Sequence, residues 1–285
     1  MKSVKIIGVP EHFNYPWHMA IAEGAFEQRG IALEWEDIPE GTGRMCQLLQ
    51  EGATDLAIIL TEGIIKSISE GNPSKIVQEY IASPLQWGIH VGAASTFKTV
   101  DDLEGQKIAI SRYGSGSHLM SYVLAENKGW KTNALTFEIV NNLEGGVAGL
   151  TNNEAAYFMW EHFTTKPLVD KGVFRRLDDC PTPWPCFVIA ATTSFLKKEP
   201  TILAHILEVI NSYTGDFKAI PSINKTLANQ YNIQLEDIDE WLSMTRWSHK
   251  QLDTKTAKET YHRLLQLNLA KEGLAIQKIL HTSSM

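Results

Sequence analysis

The sequence predicts an α/β fold of two doubly wound domains with a hinge, a cleft between them and a helical C-terminal tail. Three observations carry that prediction. Short β-branched runs alternate with amphipathic stretches through the first half, the order expected of a mainly parallel sheet covered by helices. The βα order restarts once, near Lys107, and from Pro200 the chain reads as almost wholly helical to Leu280. A length of 285 residues agrees with about two domains.

In order along the chain, residues 4–9 form a strand, and residues 16–29 a helix begun by Pro16 and ended by Gly30. Residues 31–37 give the second strand, 42–51 a helix stopped by Gly52, 55–60 a buried apolar strand and 61–70 a helix stopped by Gly71. Strands are expected at 75–81 and 86–91, the latter leading into a polar loop at 92–98. The second unit then runs strand 107–111, helix 117–128, strand 135–140, helix 143–150, strand 155–160, helix 162–170 and strand 173–177. An apolar strand at 187–191 precedes the helical tail, which is expected to pack on the first domain. Two like domains joined by extended crossings near 86–91 and 187–191 leave a cleft of the kind that takes small ligands.

Composition excludes several classes. With 44% hydrophobic and 21% charged residues the chain is neither disordered nor fibrous. Its 26 Lys and Arg against 33 Asp and Glu give a net charge of −7, and no basic run of five occurs, so nucleic acid is not an expected partner. The apolar run Leu56–Leu60 is far shorter than the roughly 20 residues needed to span a bilayer. The start of the sequence lacks a secretory h-region and cleavage site, so the chain as written is expected in the cytoplasm, and in the periplasm only with an export signal missing from it. Three cysteines make a disulfide framework unexpected, with a Cys180–Cys186 pair left open.

The strongest local signal is Ile110-Ser111-Arg112-Tyr113-Gly114-Ser115-Gly116-Ser117-His118, a strand, a Gly/Ser loop and a helix start. Backbone N–H groups at a helix N-terminus bind oxyanions, and Arg112 with Ser115 and Ser117 adds donors. The same residues also read as a tight βα turn with Ser117 as N-cap. Gly41-Thr42 and Thr61-Glu62 lie at two further strand-to-helix junctions, where each threonine also reads as a simple cap. Glu11-His12 follows the first strand directly. In a doubly wound sheet such junctions gather at the carboxyl ends of the strands. Trp160-Glu161 ends a strand of the second domain, and Trp87 and Trp184 sit near the two crossings; these read either as ligand contacts or as packing beneath a hinge. The nine histidines show no metal-binding spacing, Cys180 and Cys186 are wrongly spaced for zinc, and no nucleophile elbow occurs, so no metal, cofactor or catalytic residue is assigned.

Several motifs together resemble a known family. Ala20-Ile21-Ala22-Glu23-Gly24-Ala25-Phe26, Gly30-Ile31-Ala32-Leu33-Glu34 and Asp55-Leu56-Ala57 resemble the first domain of type 2 periplasmic-binding-protein-like folds. Asp101-Asp102-Leu103-Glu104-Gly105-Gln106-Lys107-Ile108-Ala109 and Ser194-Phe195-Leu196-Lys197-Lys198-Glu199-Pro200 resemble that group's passages into and out of the second domain. The similar group binds nitrate, alkanesulfonates and the thiamine pyrimidine precursor, and this chain looks most like an uncharacterised bacterial and yeast branch without export signals. The likeness spans about residues 4–215.

The resemblance implies a discontinuous first domain, about residues 1–88 plus 190–285, and a second of about 89–189. It also implies capture of a small ligand by closure of the cleft and, in a transport role, an ABC transporter permease as partner. Carried over by position, ligand contacts are expected at Glu11, His12, Gly41, Thr42, Thr61 and Glu62, and at Trp87, Arg112, Gly114, Ser115, Gly116, Ser117, Asn142, Trp160 and Glu161. In this reading Arg112 and the amides of residues 114–117 hold an oxyanion, Glu62 and Glu161 accept from amines or hydroxyls, and Trp87 and Trp160 sandwich a flat ligand. The same fold includes enzymes of vitamin and cofactor biosynthesis, a pyrimidine synthase and a chorismate dehydratase. The alternative is therefore an enzyme with Glu11, His12 and Glu62 as acid/base candidates.

Overall fold

The chain begins in β1 (Lys2–Gly8), where Val4, Ile6 and Ile7 are buried, and passes through a short 3-10 turn into α1 (Tyr15–Ala22). There follow β2 (Ile31–Asp37), α2 (Thr42–Glu51), β3 (Leu56–Leu60), α3 (Thr61–Ser69) and β4 (Ser74–Ile81). Next come β5 (Gln86–Gly92), β6 (Lys107–Ile110), α4 (Gly116–Lys128), β7 (Thr136–Ile139), α5 (Leu143–Thr151), β8 (Tyr157–Glu161), α6 (His162–Asp170) and β9 (Phe174–Pro181). The chain closes with β10 (Phe187–Thr192), α7 (Thr193–Lys198), α8 (Pro200–Asp216), α9 (Ile223–Tyr231), α10 (Leu235–Met244) and α11 (Thr254–Gln266). This computed structural model describes residues 1–281, and they fall into two units, 1–83 with 184 onward, and 84–183.

Each unit is built on a five-stranded sheet. In the first the order is β2-β1-β3-β10-β4, with β1, β2 and β3 parallel and β10 antiparallel to both its neighbours. In the second it is β7-β6-β8-β5-β9, with β6, β7 and β8 parallel and β5 antiparallel to β8 and β9. The sheets are therefore mixed: in each, four strands run the same way and one, β10 or β5, runs against them. β5 and β10, the strands expected as crossings, each enter their sheet at the carboxyl ends of its parallel strands and so run against them. Helices flank both sheets, as expected of an α/β fold.

Two other expectations are corrected. The helix expected over 16–29 stops at Ala22, because the chain reverses at Gly24 (φ +67°) and resumes only as a 3-10 turn at Glu27–Arg29. The tail is less helical than expected: α8, α9, α10 and α11 are separated by turns and by an extended segment, and only a 3-10 turn at Ile276–Lys278 follows α11. Asn232 (φ +52°) closes α9, and residues 245–253 run extended beside β4, with Ala82 N–H donating to Arg246 O at 2.8 Å and Glu79 N–H to Lys250 O at 2.9 Å. This segment and the bridge from Leu280 to Ile76 cover an edge strand whose backbone groups would otherwise lie open. The tail thus packs on the first unit, as expected.

The first core gathers Trp17, Met45, Ile6 and Ile58 with no exposed surface, and the second gathers Ala109, Phe158 and Phe174 beneath Leu150 and Val140. Burial on this scale is worth roughly 1.5–3 kcal/mol for each large apolar side chain. It fixes the strand ends from which the functional loops depart.

Candidate functional site

In the first unit, parallel pairing brings the carboxyl ends of β1, β2 and β3 to one edge, and antiparallel β10 begins there. Glu11 and His12 follow β1, Gly41 and Thr42 follow β2, Thr61 and Glu62 follow β3, and Trp184 precedes β10. The predicted residues of this unit therefore share one edge.

Their roles differ. Gly41 is the N-cap position of α2, and Thr42 its first residue, without a side-chain capping bond. The Thr42 methyl instead lies against Gly63, leaving no room there for a Cβ, which is how the starts of α2 and α3 approach so closely. Thr61 is fully buried and is not a cap either: its Oγ1 donates to Pro185 O at 2.6 Å and its N–H to Cys186 O at 3.1 Å, tying α3 to the approach to β10. Glu11 precedes the 3-10 turn that holds His12. The His12 ring is buried among Phe13, Tyr231 and Trp241, with the Trp241 centroid 4.3 Å away, and burial pushes its pKa down to about 3. At neutral pH it is an uncharged aromatic packing element.

Glu62 stands apart. It is only 2% exposed, its Oε2 accepts from Trp184 Nε1 at 2.7 Å, and its Oε1 has no hydrogen-bond partner. Burial raises its carboxyl to about 7, outweighing its own backbone N–H and the Trp184 indole. A buried carboxyl oxygen without a partner costs about 1–3 kcal/mol, which a donor from a ligand would recover.

In the second unit the carboxyl ends of β6, β7 and β8 likewise share an edge with the start of β5. The Gly/Ser loop turns at Gly114 (φ +77°) and is stitched from within. Gly114 N–H donates to His118 Nδ1 at 3.1 Å, Ser115 N–H to Arg112 O at 3.2 Å and Ser111 N–H to Ser117 Oγ at 3.0 Å. Ser115, not Ser117, caps α4, its Oγ accepting from His118 N–H at 3.3 Å. The amides of Gly114 and Ser115 are thus spent inside the loop. Those of Gly116 and Ser117, the first two residues of α4, have no acceptor within the helix.

Asn142 caps α5, its Oδ1 accepting from Gly145 N–H at 2.8 Å. Glu161 caps α6, accepting from Thr164 N–H at 2.6 Å, and burial raises its carboxyl above the usual range. Trp87 lies opposite Glu161 on β5, and its buried Nε1 has no partner. Trp160 is half-buried against the second core, 5.2 Å from the Phe158 ring. Because Trp87 pairs with Glu161 and Gly88 with Trp160, alternation puts the two tryptophans on opposite faces of the sheet. They do not form the expected sandwich.

Sequence reasoning missed the Trp184 partnership with Glu62 and a polar cluster behind α6. There His162 Nδ1 meets Asp179 Oδ1 at 2.9 Å, Arg176 donates to His162 Nε2, and buried His90 pairs with Thr165 Oγ1 at 2.9 Å. Nothing in the spacing of residues 90, 162 and 176–179 announces that cluster; only strand pairing assembles it. The three cysteines are not joined in disulfides, and among the described residues no group of three His, Cys, Asp or Glu is placed to hold a metal ion. No described helix is long and apolar enough to cross a membrane.

These features are those of the periplasmic-binding-protein fold. The family model described as Ca3427-like PBP matches residues 87–180. Among solved structures, the chain is similar to the Candida albicans CA3427 gene product, which defines a family with the generic periplasmic binding protein fold (25% identity, 97% of this chain and 93% of that one, TM-score 0.87). It is also similar to the alkanesulfonate-binding protein SsuA of Xanthomonas axonopodis pv. citri bound to MOPS (16% identity, 98% and 96%, TM-score 0.80). The aliphatic sulphonate binding protein SsuA of Escherichia coli is a third such likeness (16%, 100% and 93%, TM-score 0.75). No curated protein matches the sequence.

Proposed function

We propose that this chain is a solute-binding protein of the ABC-transporter substrate-binding type. It closes its two units over a small polar or anionic, flat or heteroaromatic ligand of the sulfonate, nitrate or thiamine-pyrimidine-precursor class, and a transporter permease is its partner. The observation that carries the reading is the unused N–H pair of Gly116 and Ser117 beside Arg112, an oxyanion cradle at a strand carboxyl edge. The likeness to sulfonate-binding proteins supports it. Glu62 Oε1, buried without a partner, favours a ligand that also carries a donor and disfavours a bare anion such as nitrate.

Isothermal titration with ethanesulfonate, nitrate and an aminopyrimidine tests it. At least one should bind, and Arg112→Ala and Glu11→Ala should each lose about tenfold or more in affinity while melting normally. Unchanged affinity in both variants refutes this site. A second reading rests on the Glu62 carboxyl at about 7, a value suited to proton transfer near neutrality. Conversion of a panel compound, abolished by Glu62→Gln, would favour an enzyme.

A further inference from the structure

Residues 112–115 of the Gly/Ser loop form a β-turn, closed by Ser115 N–H on Arg112 O at 3.2 Å. Its third residue, Gly114, stands at φ +77° and its second, Tyr113, is not at positive φ, which is the type II form. Turning over the peptide between Tyr113 and Gly114 gives the type I form with little change in the chain on either side, and glycine is at home in both. A contact from outside the turn can therefore select the form.

That contact is His118. Gly114 N–H donates to His118 Nδ1 at 3.1 Å, so the ring is neutral and carries its proton on Nε2. The ring is 5% exposed and is held edge-on by its neighbours, with Phe137 at 4.7 Å and Tyr113 and Tyr122 each at 5.2 Å between centroids. The N–H and C=O of a trans peptide point opposite ways, and among the described residues no peptide is cis. With Gly114 N–H aimed at His118, the Tyr113 carbonyl is aimed away from it, and no described residue donates to that carbonyl. Tyr113 itself is 63% exposed.

We infer that His118 is a positioning residue of this loop: its Nδ1 holds the Tyr113 carbonyl outward, where it accepts an O–H or N–H of the ligand. The inference rests on the strand-edge reading above and narrows its ligand to one that carries a hydroxyl or amine as well as its anionic group. With the peptide turned over, the turn would offer Gly114 N–H in place of the carbonyl, and the preference for a donor would vanish.

Amide NMR of the full chain tests the two parts separately. Without ligand, a scalar coupling should cross the hydrogen bond from the Gly114 amide nitrogen to His118 Nδ1; its absence overturns the inference. His118→Asn, whose Oδ1 can stand in for Nδ1, should leave the Gly114 amide near its wild-type position, and His118→Phe should move it, with amide exchange along α4 unchanged in both. Isethionate and ethanesulfonate, which differ by one hydroxyl, then probe the carbonyl. Isethionate should bind about fivefold more tightly to the wild type and to His118→Asn, the gain of about one hydrogen bond, and no more tightly to His118→Phe. Equal affinities in the wild type, or a preference that survives in His118→Phe, overturn the role of the carbonyl. Should His118→Phe not fold, the coupling and the wild-type preference carry the test. If neither sulfonate moves the loop amides up to about 50 mM, the strand-edge reading fails and the ligand's donor with it, while the coupling still decides what His118 does.

Discussion

Trp184 Nε1 donates to Glu62 Oε2 at 2.7 Å, linking the approach to β10 with the first turn of α3. The bond holds one carboxyl oxygen in place, while the other, Oε1, is buried without a hydrogen-bond partner. It also stands at the point where the chain returns to the first unit.

The Glu62 carboxyl should leave a signature in stability against pH. Its folded value, about 7, lies above the ordinary 4.5, so the folded state binds the extra proton between these values and stability falls as pH rises through that window. Glu62→Gln should remove this slope, making the variant more stable than the parent by about 1–3 kcal/mol at pH 8 and closer to it at pH 4.5. Urea melts across that range check it; parallel profiles would show that Glu62 titrates normally.

The contact between Thr42 and Gly63 should be strongly coupled. Gly63→Ala puts a Cβ into the Thr42 methyl and should cost about 1–3 kcal/mol, whereas Gly63→Ala with Thr42→Ala should recover most of it. Additive losses in the four-way comparison would mean that α2 and α3 do not meet there.

Ser115 should matter more to α4 than its neighbours. Ser115→Ala removes the cap and should cost about 1 kcal/mol in urea unfolding. Ser117→Ala strips the partner from Ser111 N–H and should cost a similar amount, but without lowering the helicity of α4 seen by amide exchange. Equal exchange in the two variants would contradict the capping assignment.

Local elements were the legible part of the fold. Ile31–Asp37, Thr42–Glu51 and His162–Asp170 keep their predicted bounds, since each has clear periodicity or a stop at its end. What the sequence hid is long-range. The direction of β5 and β10 depends on which edge they enter, and the break at 245–253 depends on β4 needing a partner. At the site, sequence reasoning brought the junction residues to strand edges but could not separate caps from free donors. Ser117, Asn142 and Glu161 spend polar atoms on their own loops, whereas Glu62 bonds a partner 122 residues away, a contact that local sequence does not announce.

Native mass spectrometry of the purified chain, followed by denaturing release and identification of any small molecule, tests the central claim most directly. The account predicts one bound sulfonate, pyrimidine or similar donor-bearing polar metabolite per chain, retained by the wild type and lost in Arg112→Ala. A chain that carries nothing and binds no member of a panel of such compounds, or one that converts a panel compound, would contradict it.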